Sequence, residues 1–307
     1  MTRADFIYPQ PGQLNVTKEA SISPALYAPG DSIGFDIVVE NTGSGYLQNV
    51  LIEDLASDIK ASVVDGMLPG DVFDSWDASK SSLIIVPASA SETVTIEQSD
   101  FDSADGFTGK YNLAPGVKIE LHLEGTVKGN VIGEITNTVK VSADDLDPVH
   151  DSATYQPIDA EVTVSKEVDK SIYQARDTLT YTITLTNTQR VWATDVYVKD
   201  LVNAVVSDTI YGTSISVFET GSIEINATSK NGTTTLPALS GAYIDNRVDI
   251  APEDVVTITV KGTLKPEIIG EVRNVVSVEY DGKTVEDDAI STPMIPSIVV
   301  TKTPYEE

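Results

Sequence analysis

The chain has 307 residues, sets 20 Lys plus Arg against 47 Asp plus Glu for a net charge of −27, and contains no cysteine. So acidic a surface is a poor match for nucleic acid or anionic membrane, and the missing cysteine excludes disulfides, thiol nucleophiles and cysteine–zinc sites. With 41% hydrophobic residues there is material for the cores of two ordinary domains, while no apolar run is long enough for a spanning helix and Met1-Thr2-Arg3-Ala4-Asp5-Phe6 lacks a signal-peptide core.

Residues 1–13 form a polar, proline-containing lead whose apolar part is Phe6, Ile7 and Tyr8. The first predicted strand is Leu14-Asn15-Val16-Thr17-Lys18, with apolar residues at every second position. A turn at Pro29-Gly30-Asp31 leads to a strand from Phe35 that ends in Asn41-Thr42-Gly43. Asn49 to Leu55 is the next strand, followed by an irregular stretch, 56–113. Gly125-Thr126-Val127 and Ile132 to Val139 close the set. No long helical periodicity interrupts it, so residues 14–143 read as a β-sandwich. An Asp- and Pro-rich stretch, 144–159, reads as an acidic linker.

The pattern then starts again. Val162-Thr163-Val164-Ser165-Lys166 repeats the first strand, and Tyr181 to Thr188 repeats the strand ending in Asn-Thr. Asp195 to Leu201 repeats Asn49 to Leu55, and Ile269 to Val276 repeats the closing strand. Residues 160–280 therefore form a second sandwich, with a variable middle at 202–250. Residues 281–307 read as a linker and a third copy of the first strand, Ile298-Val299-Val300-Thr301-Lys302. Left alone, such a strand would be exposed and apolar, and it is expected to act as a donor strand for a neighbouring molecule, with Phe6, Ile7 and Tyr8 as its partner segment. Head-to-tail contacts of that kind propagate into a homopolymer, with Ile298 and Val300 facing one way alongside Lys302.

Strand alternation puts a lysine on an apolar face in each copy. Lys18 shares its face with Leu14 and Val16, and Lys166 with Val162 and Val164. Asp54 is in phase with Val50 and Ile52, and Asn137 with Ile135, Val139 and Val141. Asp200 and Asn274 repeat this in the second copy. Three polar residues pointing into one core, twice, are the parts of an intramolecular isopeptide bond. Burial favours a neutral lysine and a protonated aspartate. The amine can attack the Asn carboxamide while the acid polarises it and moves protons until ammonia leaves. The expected bonds are Lys18–Asn137 and Lys166–Asn274, with Asp54 and Asp200 as autocatalytic acids. Two alternatives stay open: a non-covalent buried Lys–Asp pair with Asn as hydrogen-bond partner, and Glu134 or Glu271 as the acid, although both alternate out of phase with the asparagines.

The motif order resembles a known family. Lys-Glu, Pro-Gly-Asp, a Tyr/Phe strand ending in Asn-Thr-Gly, a Val-x-Val-x-Asp-Leu strand and a closing Asn-Thr-Val strand resemble the bacterial and archaeal surface repeat called domain of unknown function eleven. The second copy departs from it at Arg176, where a turn glycine is expected. The resemblance implies an all-β chain of two tandem immunoglobulin-like sandwiches, used in stalks, adhesins and surface fibres. Two-repeat members resemble subunits of bacterial endospore appendages, a setting that the absent signal peptide suits. The expected role is a structural subunit of an extracellular filament on a cell or spore surface, with itself and other surface fibre proteins as partners. A stalk fragment of a larger adhesin and a carbohydrate- or protein-binding module are the alternatives, the latter through Trp76, Tyr111, Trp192 and Tyr211.

Other motifs carry less. Asp144, Asp145, Asp147 and Asp151 could ligate Ca²⁺, yet they match no calcium-loop spacing and read equally as solvated carboxylates. The same holds for Asp100, Asp102 and Asp105, and for Glu286, Asp287 and Asp288. His122 and His150, the only histidines, lie far apart in sequence. No phosphate loop or nucleophile elbow is present, so no enzyme acting on an external substrate is expected.

Overall fold

The computed structural model describes residues 11–63, 72–86, 92–94, 101–102, 104–236, 239 and 241–302. Phe6, Ile7 and Tyr8 lie outside them. The chain is all-β and forms two compact units, 1–158 and 159–307. The helical turns among the described residues are 3-10 turns at Ala56–Asp58 and Val202–Ala204.

The first unit contains β1 (Leu14–Ala20), β2 (Leu26–Tyr27), β3 (Ser32–Asn41), β4 (Leu47–Leu55), β5 (Lys60–Val63), β6 (Phe73–Trp76), β7 (Ser82–Val86), β8 (Glu92–Val94), β9 (Phe101–Asp102), β10 (Gly106–Leu113), β11 (Lys118–Val127), β12 (Val131–Ala143) and β13 (Leu146–Pro157). One sheet runs β1-β3-β11-β7-β8 and the other β2-β13-β12-β4-β10-β9. Their apolar faces meet as a sandwich. Phe35, Ile37 and Val39 of β3 are buried, as are Ile135, Val139 and Val141 of β12, each worth about 1.5–3 kcal/mol on full burial of its side chain.

The second unit contains β14 (Val162–Val168), β15 (Ile172–Tyr173), β16 (Thr178–Asn187), β17 (Ala193–Asp200), β18 (Val206–Asp208), β19 (Ser214–Ser216), β20 (Glu224–Ser229), β21 (Ile244–Ile250), β22 (Val255–Thr263), β23 (Val272–Tyr280) and β24 (Lys283–Pro293). Its sheets run β14-β16-β22-β20 and β15-β24-β23-β17-β21, with β18 and β19 as a separate pair. Tyr181, Ile183 and Leu185 are buried on β16, and Val272, Val276 and Val278 on β23.

Two stretches expected as linkers are strands. Residues 146–157, inside the expected acidic linker 144–159, are β13, which pairs with β12 from Ile135↔Tyr155 to Ala143↔Leu146. Residues 283–293 are β24, which pairs with β23 from Val272↔Ser291 to Tyr280↔Lys283. In both, Asp makes the hairpin turn. Asp145 has φ 60°, and Asp281 and Gly282 have φ 45° and 71°, the paired positive dihedrals of a two-residue turn that follows strand twist. On their inward faces these strands carry Ala153, Tyr155 and Ala289, with Asp151 and Asp287 half-buried in the same phase. Beyond β24, Ile298, Val299 and Val300 are 87%, 85% and 85% exposed and pair with no strand among the described residues.

The repeated turn and strand-end motifs have local explanations. Asp31 accepts a hydrogen bond from the Ala28 N–H, and Asp177 from the Gln174 N–H, each at 2.8 Å. Gly30 and Arg176 occupy the same place in the two turns with φ 85° and 68°, so the departing arginine keeps the left-handed turn at a steric cost. Asn41 is wholly buried and donates to the Gly45 and Leu113 carbonyls at 2.8 and 3.0 Å. Asn187 does the same to Val191 and Ile250 at 2.7 and 3.2 Å. These asparagines satisfy loop backbone that burial would otherwise strand.

Candidate functional site: a buried lysine, aspartate and asparagine in each unit

In the first unit, β1 carries Lys18, β4 carries Asp54 and β12 carries Asn137, and all three point between the sheets. They are 3%, 0% and 0% exposed. Lys18 Nζ donates to Asp54 Oδ2 and stands 4.8 Å over the centroid of the Phe35 ring. In the second unit, Lys166, Asp200 and Asn274 are 4%, 0% and 1% exposed. Lys166 Nζ donates to Asp200 Oδ2 at 2.5 Å and stands 5.3 Å over the Tyr181 ring. Asn274 Nδ2 approaches the same carboxylate oxygen at 3.4 Å.

The electrostatics follow from burial. Desolvation pushes both lysines below the usual ammonium range, against the attraction of their aspartates. Desolvation likewise pushes Asp54 and Asp200 above the usual carboxylate range, against the opposing charge of the lysines and the nearby Asn amides. Both shifts favour a neutral amine beside a protonated acid, which is the proton moved along the Lys–Asp hydrogen bond.

The asparagine of the first unit bears on the two readings of the sequence. A structural Asn in a buried ion-pair network should use its donors and acceptor. Asn137 lies beside Asp54 closely enough to weigh on its protonation, yet neither Oδ1 nor Nδ2 completes a hydrogen bond among the described residues. Asp54 Oδ1 and Asp200 Oδ1 are also buried without partners. Each such atom costs about 1–3 kcal/mol in a purely structural role. Nucleophile, carboxamide and acid are instead the set needed for acyl transfer. In such a transfer Lys Nζ would bond to Asn Cγ as the Cγ–Nδ2 bond broke, and the acid would pass an amine proton to the nitrogen that leaves as ammonia.

No family model matches this chain, and no curated protein matches it. Solved structures similar to it include the wild-type C-terminal domain of the AgI/II polypeptide BspA of Streptococcus agalactiae, at 12% identity over 91% of this chain and 100% of that chain with a TM-score of 0.25. A second solved structure, wild-type BspA_C, shows 11% identity over 90% and 99% of the two chains with a TM-score of 0.34. A family 123 glycoside hydrolase from Clostridium perfringens is 15% identical over 48% of this chain and 28% of its own, with a TM-score of 0.29.

The other sequence candidates fall elsewhere. Glu134 is exposed and engages Thr136 and Gln156, and Glu271 is exposed, so neither enters the core. Asp144 accepts from Asn49 at 2.5 Å, Asp145 forms the turn and Asp147 is exposed. Among the described residues, no three metal-ligating side chains converge. Trp76 is buried against Phe73 and Phe35 at centroid distances of 4.8 and 6.4 Å, so it serves the core of its unit, whereas Tyr211 is 77% exposed.

Two residues considered above only as Ca²⁺ candidates have another place in the structure. Asp151 Oδ2 accepts from the Lys18 backbone N–H at 2.6 Å, and Asp287 Oδ2 accepts from that of Lys166 at 2.6 Å. The signal was available: Asp151-Ser152-Ala153 and Asp287-Asp288-Ala289 share an Asp-x-Ala spacing, hidden inside stretches read as acidic linkers.

Proposed function

We propose that this chain is a load-bearing module of a bacterial surface structure, in which each unit is locked by an autocatalytic isopeptide bond, Lys18–Asn137 and Lys166–Asn274, with Asp54 and Asp200 as acids. The observation that carries this reading is the duplicated buried triad, with one carboxyl oxygen unsatisfied in each unit and the Asn137 carboxamide unsatisfied in the first. Each bond joins the first strand to the strand beside the last, so pulling force bypasses most of the sandwich. Closing loops on the order of 100 residues also restricts the unfolded chain, by analogy with disulfides worth about 4–5 kcal/mol. A cysteine-free chain outside the cell gains its robustness this way.

A stalk of tandem repeats is the setting favoured by the third strand copy. Pro293 stands before Lys302 at the same spacing as Pro157 before Lys166, so the inter-unit pattern recurs after the second unit. A filament subunit is the second reading, supported by the 85–87% exposure of Ile298, Val299 and Val300, which suits a strand donated head to tail to another copy. Single-molecule stretching tests the load-bearing role. A cross-linked unit extends only by the residues outside its Lys–Asn loop. Full-length unfolding extensions for both units contradict the proposal.

A further inference from the structure

We propose that Asp151 and Asp287 are positioning residues for bond formation, each holding the backbone N–H of its unit's nucleophilic lysine. This rests on the isopeptide reading above and adds residues to it.

The lysines ride on edge strands. β1 is hydrogen-bonded to β3 and β14 to β16, and no strand completes a backbone ladder on their other side among the described residues. An edge strand is held along one side only and frays more readily than a central one. At the lysine itself, the backbone N–H is taken by a carboxylate from the opposite sheet, at 2.6 Å in both units. Asp151 and Asp287 are half-buried on the inward faces of β13 and β24. Two residues further on, Ala153 and Ala289 sit directly across from Asn137 and Asn274 in the strand register. One strand face therefore does two things. Its carboxylate fixes the backbone from which the nucleophile projects, and its methyl leaves room opposite the electrophile.

The hydrogen bond, not the charge, is the useful part. A negative charge beside the lysine favours the ammonium, and both aspartates act on their lysines in that direction. That opposes formation of the neutral nucleophile. Its presence in both units is accounted for by geometry, since a displacement of about 1 Å at a reacting group can cost on the order of a hundredfold in rate.

The experiment compares wild type, Asp151→Ala and Asp151→Asn in the full chain. Protein is collected at short intervals after synthesis, and the cross-linked fraction of each unit is read by peptide mass mapping. Asp151→Ala should slow the Lys18–Asn137 bond about tenfold or more, while Lys166–Asn274 in the same molecule forms at the wild-type rate. Asp151→Asn keeps an acceptor oxygen and drops the charge, so it should match or exceed wild type. The Asp287 pair should mirror this in the second unit. Alanine variants that cross-link at the wild-type rate overturn the proposal, as do asparagine variants as slow as alanine. If Asp151→Ala fails to fold, the Asp151→Asn rate decides alone. A wild-type protein without either bond overturns the isopeptide reading instead.

Discussion

The two units bury the same lysine, aspartate and asparagine, yet their surroundings differ. Beneath Lys18 lies Phe35, packed edge-on against Tyr155 at 5.6 Å and near Trp76. Beneath Lys166 lies Tyr181, whose buried hydroxyl has no partner among the described residues. At the loop entering the long central strand, the first unit has Val117 where the second has Asp254; their carbonyls accept from Asn41 and Asn187 respectively. Asp254 is wholly buried and accepts from Ser229, Thr234, Asn231 and Val255. The triads match while their supports diverge. Under the proposed bond, chemistry would constrain three side chains closely, while the rest of the core needs only to be apolar and full.

The largest expected effect removes the nucleophile. Lys18→Ala and Lys166→Ala should each lower the stability of their own unit by about 4–5 kcal/mol, measured by hydrogen exchange that resolves the units. Equal protection before and after substitution would show that packing alone supplies the stability.

Asp254→Ala should destabilise the second unit alone, by about 1.5–3 kcal/mol, the range for hydrogen bonds to a charged group. Burial pushes the Asp254 carboxyl up, but its hydrogen bonds prevail and hold it at about 2. Because the folded pKa is depressed, its contribution is present above the ordinary value of 3.8 and lost as pH falls toward about 2. Acid titration should therefore loosen the loop around 229–234 before its counterpart in the first unit. Simultaneous loosening would contradict this assignment.

Tyr181→Phe makes the second unit resemble the first. Removing an unpartnered buried hydroxyl should raise its stability by about 1 kcal/mol, and Phe35→Tyr should cost the first unit a similar amount. Thermal melting checks both, and a loss of stability in Tyr181→Phe would show that the hydroxyl is satisfied.

Arg176→Gly is the smallest effect. Restoring glycine at φ 68° should gain about 0.5–1 kcal/mol, the relieved strain exceeding the extra unfolded-state entropy. The Arg176–Glu219 contact, 3.9 Å long with the arginine 71% exposed, contributes little against it. A drop in melting temperature would assign that contact more weight.

Alternation was enough to place Lys18, Asp54 and Asn137, and their counterparts, on inward faces, because a strand's period of two leaves one choice of face once the apolar set is known. It was also enough for the all-β class. The last strand of each unit was not legible. In β13 and β24, aspartates and prolines that normally punctuate loops serve as turn, cap and rim residues, and the apolar alternation shrinks to Ala153, Tyr155 and Ala289. The contact of Asp151 with the Lys18 backbone was missed for the same reason. Its role depends on the opposite sheet, which no local pattern reports. Asp254 likewise shows nothing in sequence, since its partners lie 20 or more residues upstream at Ser229, Asn231 and Thr234.

A triad that has closed into a covalent bond has lost one ammonia. Intact-mass measurement of the purified chain, followed by mapping of protease-resistant peptides, tests for that loss most directly. The expected mass is short of the sequence by two ammonia molecules, with Lys18 joined to Asn137 and Lys166 to Asn274. A mass equal to the unmodified sequence, with all four residues recovered on separate linear peptides, would contradict it.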